Sequence, residues 1–193
     1  MKPFVHFTAA LTLLVAAGCI IPEKIETRIR FNEKNAPAEV TTIYHNLSSE
    51  AKDEESLQSD FNDLINDWKG DQYLVQQAKQ GLVLKDRQVY LEKGRLQAKE
   101  LAVPTEGNFL EGEDMMISHG ERIVVVKAED ADIIDTNGKI LKTDSNYIIV
   151  WPEELKEIYW IQRGRYDEED QKHIEHNRPK LIKMFEAYQQ KGN

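Results

Sequence analysis

A chain of 193 residues, 40% of them hydrophobic and 31% charged, is long enough to enclose one hydrophobic core beneath a heavily solvated surface. This balance excludes both a protein made of several membrane spans and a disordered tail. The formal net charge of −9 argues against nucleic acid as a partner, because binding phosphate groups requires clustered Lys and Arg side chains.

The first 19 residues, MKPFVHFTAALTLLVAAGC, have the layout of a secretory signal peptide. Lys2 supplies a positive start, and an uncharged, mostly apolar stretch runs from Phe4 to Ala17 and ends in small residues. This stretch is shorter than the roughly 18 to 20 residues that a helix needs to cross a bilayer. The alternative at this stage is a membrane anchor that is never cleaved.

The end of the stretch, Ala16-Ala17-Gly18-Cys19, resembles the cleavage box of bacterial lipoprotein signal peptides, in which small residues precede an obligatory cysteine. The resemblance implies that the thiol of Cys19 receives a diacylglycerol and that a dedicated peptidase cuts between Gly18 and Cys19. Cys19 would then be the first residue of the mature protein. An ordinary signal peptide that is cut elsewhere and leaves a free thiol remains the other interpretation.

Cys19 is the only cysteine in the chain, so no internal disulfide can form. Lipidation removes the liability of an unpaired thiol in an oxidising compartment, and two or three acyl chains, at roughly 0.8 kcal/mol per buried methylene, give stable attachment. In the enteric sorting pattern of this class, Asp after the cysteine retains the protein at the inner membrane. In an organism with two membranes, Ile20 therefore favours the outer membrane, and otherwise the anchor lies in the cell membrane, with the domain in the periplasm or at the cell surface. We expect residues 1–18 to be cleaved and residues 19–193 to form a single globular domain.

The mature chain opens with two strand-like runs. Apolar and polar residues alternate from Ile25 to Phe31 and from Val40 to His45, and the intervening NEKNAPAE predicts a turn, so the two runs are expected to pair as a hairpin. Ser48 or Ser49 is predicted to cap the helix that follows. Its apolar residues share one face: Leu57, Phe61, Leu64, Ile65 and Trp68.

Glycines punctuate the next segments. Gly70 is predicted to end the first helix and Gly81 a short second one. The turn Glu92-Lys93-Gly94 then predicts a hairpin within residues 82–103. Residues 104–119 are the least regular part of the chain.

Four further strand-like segments follow: Ile123 to Lys127, Ile133 to Leu141 turned by Asn137-Gly138, NYIIVW and EIYWIQ. Asp167 to Gln190 predicts a helix that is interrupted or restarted at Pro179. Strands and helices are segregated along the chain. We therefore predict an α+β fold with a mostly antiparallel sheet of about six to eight strands, two helices after the first hairpin and a C-terminal helix.

Chemical motifs are few. His173 and His176 stand three apart, so a helix would place both on one face, where His119 or Asp170 could supply a third ligand for a transition metal. An exposed helical turn explains the same residues, and the acidic start of this helix lacks the spacing of a calcium loop. Ser118 beside His119 does not constitute a catalytic triad, since the residues of a triad are neighbours in space. The sequence predicts no bound metal, no cofactor and no catalytic residue.

Aromatic residues cluster in the last two strand-like segments, which we expect to form a central hairpin covered on both sides. The aromatic residues in question are Tyr147, Trp151, Tyr159 and Trp160. Two interpretations are open: they fill the core, or they form an outward platform for a sugar or peptide. The leading hypothesis is a non-enzymatic, lipid-anchored envelope protein that binds another envelope component or has a structural role. A small-ligand-binding or metal-binding lipoprotein and an envelope enzyme are the alternatives.

Overall fold

The computed structural model describes residues 20–34, 36–79, 81–105, 115–129 and 131–191, and it confirms the α+β class. Within these residues ten strands form two antiparallel sheets, and three helices pack beside them. Gly18 and Cys19 lie outside the described residues.

Sheet A has six strands. From edge to edge they are β3 (Leu82–Glu92), β4 (Arg95–Pro104), β2 (Pro37–Ser49), β1 (Ile20–Phe31), β10 (Glu157–Gly164) and β7 (Ala131–Thr136). The predicted first hairpin is confirmed as β1 and β2. The predicted turn between β3 and β4 is confirmed too: Lys93 and Gly94 have φ of 51° and 72°, the left-handed values that a two-residue hairpin loop of this kind requires.

Sheet B has four strands. In order they are β5 (Met115–Ser118), β6 (Glu121–Lys127), β9 (Asn146–Pro152) and β8 (Lys139–Lys142). A second two-residue hairpin joins β5 to β6 through His119 and Gly120, with φ of 54° and 78°.

The prediction that Asn137-Gly138 turns a hairpin is wrong. β7 pairs with β10 in sheet A and β8 pairs with β9 in sheet B, so Asn137 and Gly138 form a corner at which the chain passes from one sheet to the other. The side chain of Asn137 accepts hydrogen bonds from Trp151 Nε1 at 2.8 Å and from the backbone N–H of Tyr159 at 2.9 Å. The expected central hairpin of the last two strands is wrong for the same reason, because β9 and β10 belong to different sheets.

Helices α1 (Glu54–Lys69) and α2 (Asp71–Lys79) follow the first hairpin, as predicted. The predicted cap is wrong: Ser48 and Ser49 are buried inside β2, and Asp53 instead accepts a hydrogen bond from the N–H of Ser56 at 2.8 Å. Gly81, with φ of 78°, follows α2.

Helix α3 (Glu168–Lys191) runs without interruption through Pro179, where a break was predicted. Buried residues on both sides of the proline, Ile174 and Leu181, hold the two halves against the sheet, and this packing outweighs the one backbone hydrogen bond that proline cannot make. No helix in the described part of the chain is long and apolar enough to cross a membrane.

Two hydrophobic clusters lie on the inner face of sheet A. Helices α1 and α3 cover the first, which includes Ile20, Tyr44 and Leu181. Sheet B covers the second, which includes Ile29 and Trp151. The sheet thus carries a helical layer at one end and a second sheet at the other.

Candidate functional site

The first described residue sits within the fold. Ile20 is buried in the cluster beneath α1 and α3, and it pairs with Ser49 of β2. Two residues later, the backbone carbonyl of Pro22 accepts a hydrogen bond from the hydroxyl of Tyr166 at 3.1 Å. The position that follows Cys19 in the sequence is therefore held in β1 by pairing with β2, and the pairing of β1 with β10 begins at Lys24.

The end of the domain around Ile20 is acidic because the N-termini of α1 and α3 lie there together. Lys52 and Glu169 form an ion pair of 3.0 Å between the two helix starts. The segments at the two helix starts also contain these carboxylates: Glu50, Asp53, Glu54, Glu55, Asp167, Glu168 and Asp170. Carboxylates in a first helical turn are stabilised by the positive end of the helix dipole, which accounts for their position without a bound cation.

The three histidines predicted as possible metal ligands lie on two separate elements of the fold. His173 and His176 lie on α3, whereas His119 lies in the turn between β5 and β6. The structure contains no group of three His, Cys, Asp or Glu side chains arranged to hold a metal ion within its described ranges. Ser118 Oγ lies 2.8 Å from His119 Nδ1 in an exposed turn, which is a local contact between sequence neighbours.

The interpretation of these aromatic residues as core is confirmed for Tyr147, Trp151 and Trp160, which are buried, so the alternative of an outward platform is wrong for these three. The rings of Trp151 and Trp160 are 5.9 Å apart and join the two sheets. Tyr159 lies on the opposite face of β10, where the guanidinium of Arg28 is 4.8 Å from its ring centre. These aromatic side chains therefore serve mainly as core residues.

A polar row crosses the inner face of sheet A between the two hydrophobic clusters. The strand register places Glu100 beside Thr42, and Thr42 beside Thr27. Glu100 is only 6% exposed. Its two carboxylate oxygens accept hydrogen bonds from different tyrosines, Oε2 from Tyr44 at 3.4 Å and Oε1 from Tyr73 of α2.

Burial changes the pKa of Glu100 and of the two tyrosines that are hydrogen-bonded to it. It raises the pKa of Glu100 to about 7, although the hydrogen bonds from Tyr73 and Tyr44 and the charge of Arg87 act in the opposite direction. Burial also raises the pKa of both tyrosines, and the nearby carboxylate adds to that effect. Glu100 therefore changes charge near neutral pH inside the fold.

Arg122 is a second buried ionisable residue. It is fully buried on the inner side of β6, with its guanidinium 3.7 Å from the ring centre of Phe31. Nη1 donates to the carbonyls of Pro152 and Leu155, at 3.4 and 3.0 Å, while Nε and Nη2 have no hydrogen-bond partner among the described residues. Burial lowers the pKa of Arg122. Its contacts tie the connection between β9 and β10 to β6.

Neither Glu100 nor Arg122 is among the residues predicted from the sequence, although one signal in the sequence marks both. Each occupies a position where strand alternation calls for an apolar residue: Glu100 is in phase with Ala98 and Ala102, and Arg122 is in phase with Val124. A charged residue at such a position is either paired inside the fold or costly to bury.

Comparisons with known proteins add no relative to this description. The chain matches no protein-family model, no curated protein and no solved structure.

Proposed function

We propose that this chain is a lipid-anchored lipoprotein of the bacterial cell envelope, attached through lipid on Cys19, with its α+β body facing the periplasm or the cell surface. The observation that carries the proposal is the box Ala16-Ala17-Gly18-Cys19 at the end of an apolar leader. Cleavage between Gly18 and Cys19 leaves the lipidated residue directly before β1.

The position of Ile20 supports attachment of the lipid directly beside the folded body. Because Ile20 is already buried in the fold, a lipid on Cys19 is attached without a flexible tether, and the body lies close to the bilayer. The acidic starts of α1 and α3 lie at the same end of the domain, where they repel anionic headgroups. Attachment then depends on the acyl chains rather than on the protein surface.

The role of the body in this proposal is binding or structural rather than enzymatic. Glu100 has both oxygens bonded to tyrosines, and Arg122 is fully buried, so neither group is accessible to a substrate. A second envelope protein is the partner that this proposal favours. The acidic charge of the chain also disfavours nucleic acid.

Replacing the lipidated residue tests the anchor. In the bacterium, Cys19→Ser is expected to abolish labelling with a radioactive or clickable palmitate and to release the protein from washed membranes. The control is the double variant Cys19→Ser, Lys183→Cys, which restores a thiol at an exposed position of α3. The double variant is expected to remain unlabelled, since the peptidase box, and not the presence of a thiol, directs lipidation. Unchanged membrane fractionation of Cys19→Ser without detergent contradicts the proposal.

A further inference from the structure

Sheet B presents an apolar face to solvent. Its inner residues, among them Val124, Ile149 and Trp151, pack against sheet A, so the alternate residues point outward. The strand register sets six of these side chains side by side, and we call them the apolar outer face: Met116, Ile123, Val125, Leu141, Ile148 and Val150.

Within the described part of the chain, three of these six side chains are exposed, and the other three, Ile123, Ile148 and Val150, are half-buried. Met116 is 57% exposed, Leu141 45% and Val125 44%, although each is a large apolar side chain next to others of its kind. A contiguous apolar patch on a sheet, as opposed to scattered apolar residues, marks an interaction surface.

The ends of β6 carry opposite charges on this same face. Glu121 lies opposite Pro152 at one end, and Lys127 lies opposite Asn146 at the other. Both have the strand phase of Ile123 and Val125, so they point outward and flank the apolar residues. Lys127 is otherwise engaged in a loose ion pair of 3.9 Å with Glu129.

This arrangement is self-complementary. A two-fold axis that lies in the plane of the face and runs across the strands places the Glu121 end of one copy over the Lys127 end of another. The same rotation stacks Ile123 and Val150 of one copy on Val125 and Ile148 of the other, which is the aligned packing of two sheets. Each dimer then contains two equivalent Glu121–Lys127 pairs around a centre that is apolar apart from Lys139, which lies beside Val150 on the edge strand β8.

The distribution of acidic residues also favours this face for contact between two copies of the chain. The chain carries a net charge of −9, so most approaches of one copy to another are repulsive. The described strands of sheet B contain a single acidic residue, Glu121. A second copy supplies an opposite charge for both ends of β6, whereas an anionic lipid surface would attract Lys127 and Lys139 but leave Glu121 facing like charge.

We propose that the apolar outer face of sheet B is a homodimer interface, in which a second copy of the chain packs face to face with Glu121 of each copy paired with Lys127 of the other. This proposal does not rest on the lipid anchor, and Cys19→Ser is expected to remain dimeric.

Sedimentation velocity of the full chain in a density-matched detergent tests the proposal. Wild type is expected to sediment as a dimer. Glu121→Lys and Lys127→Glu each create like-charged pairs and are expected to weaken dimerisation at least about tenfold, and the double charge swap is expected to restore it. Lys183→Glu, an equal change of charge on α3, is expected to leave the dimer intact. Rescue by the double swap separates loss of the interface from loss of the fold.

Three results overturn the proposal. The first is a wild-type chain that remains monomeric up to the highest concentrations reached. The second is a dimer that is insensitive to both single charge changes or is not restored by the double swap. The third is a monomer that binds a different protein, or phosphatidylglycerol vesicles, in a manner lost on Val125→Asp, which assigns the face to another occupant.

Discussion

Replacing Glu100 with Gln is expected to change how the stability of the fold depends on pH. Gln has the shape of a protonated Glu and stays neutral, so it can occupy the space between Tyr44 and Tyr73 without the burial penalty of a carboxylate. The variant therefore separates the charge of residue 100 from its packing.

The sign of the effect follows from the direction of the pKa shift. Burial raises the pKa of Glu100 from its ordinary value of 4.5 to about 7, so the folded chain binds this proton more tightly than the unfolded chain does. The resulting stabilisation is fully present below pH 4.5 and is lost as pH rises through about 7. At about 1.36 kcal/mol per pKa unit, the loss amounts to about 3 kcal/mol in the free energy of unfolding.

Urea unfolding followed by tryptophan fluorescence, at half-unit intervals from pH 4.5 to 8, measures this contribution. The difference in the free energy of unfolding between wild type and Glu100→Gln is expected to move by about 3 kcal/mol in favour of the variant across this range. Glu186→Gln, at an exposed position of α3, is the control and is expected to run parallel to wild type. Parallel curves for wild type and Glu100→Gln refute the reasoning. A difference of opposite slope also refutes it and means that the tyrosine hydrogen bonds outweigh burial.

Two further predictions concern residues that join parts of the fold. A Cβ on Gly138 would lie 2.5 Å from Nε1 of the buried Trp151, so Gly138→Ala is expected to lower the free energy of unfolding by about 1–3 kcal/mol. Urea denaturation measures this loss, which should shrink in a Trp151→Phe background; an unchanged loss there removes the contact with Trp151 as its cause and leaves the contact with Ile149 Cγ2, 2.9 Å away. Asn177 of α3 donates to the carbonyls of Ser49 and Ala51 at 3.0 and 2.7 Å. Thermal unfolding of Asn177→Ala is expected to show a loss of about 1–3 kcal/mol, and Asn177→Asp a larger loss at neutral pH because a carboxylate cannot donate; equal stability of the two variants contradicts this assignment.

The elements of the fold that depend on neighbouring residues could be predicted from the sequence. The alternation from Ile25 to Phe31 identified β1, and Gly94 identified the turn after β3, because both signals are local. The partners of β7 and β8 could not be predicted in this way. Asn-Gly is a strong hairpin signal, but here hydrogen bonds from Trp151 and Tyr159 hold Asn137 at a corner between sheets, and these contacts span 14 and 22 residues.

The candidate sites also differ in whether they depend on neighbouring residues or on contacts between distant segments. The leader that ends in Cys19 is a linear motif, so lipidation there is predicted from the sequence alone and stays a prediction. The outer face of sheet B depends on which strands become neighbours, and the sequence analysis had assigned β9 and β10 to one hairpin. Once β6 and β8 flank β9, Val125, Ile148 and Leu141 form one row across the sheet, which no local pattern reveals.

The central position of β1 has a mechanical consequence. β1 is bonded to β2 on one side and to β10 on the other, with both ladders running along much of its length. A force applied to the chain before Ile20, along the direction of the strand, loads these two ladders in shear, so many hydrogen bonds must break together. A strand at the edge of a sheet, peeled from one end, would release them one at a time. The domain is thus built to resist extraction by its own N-terminus.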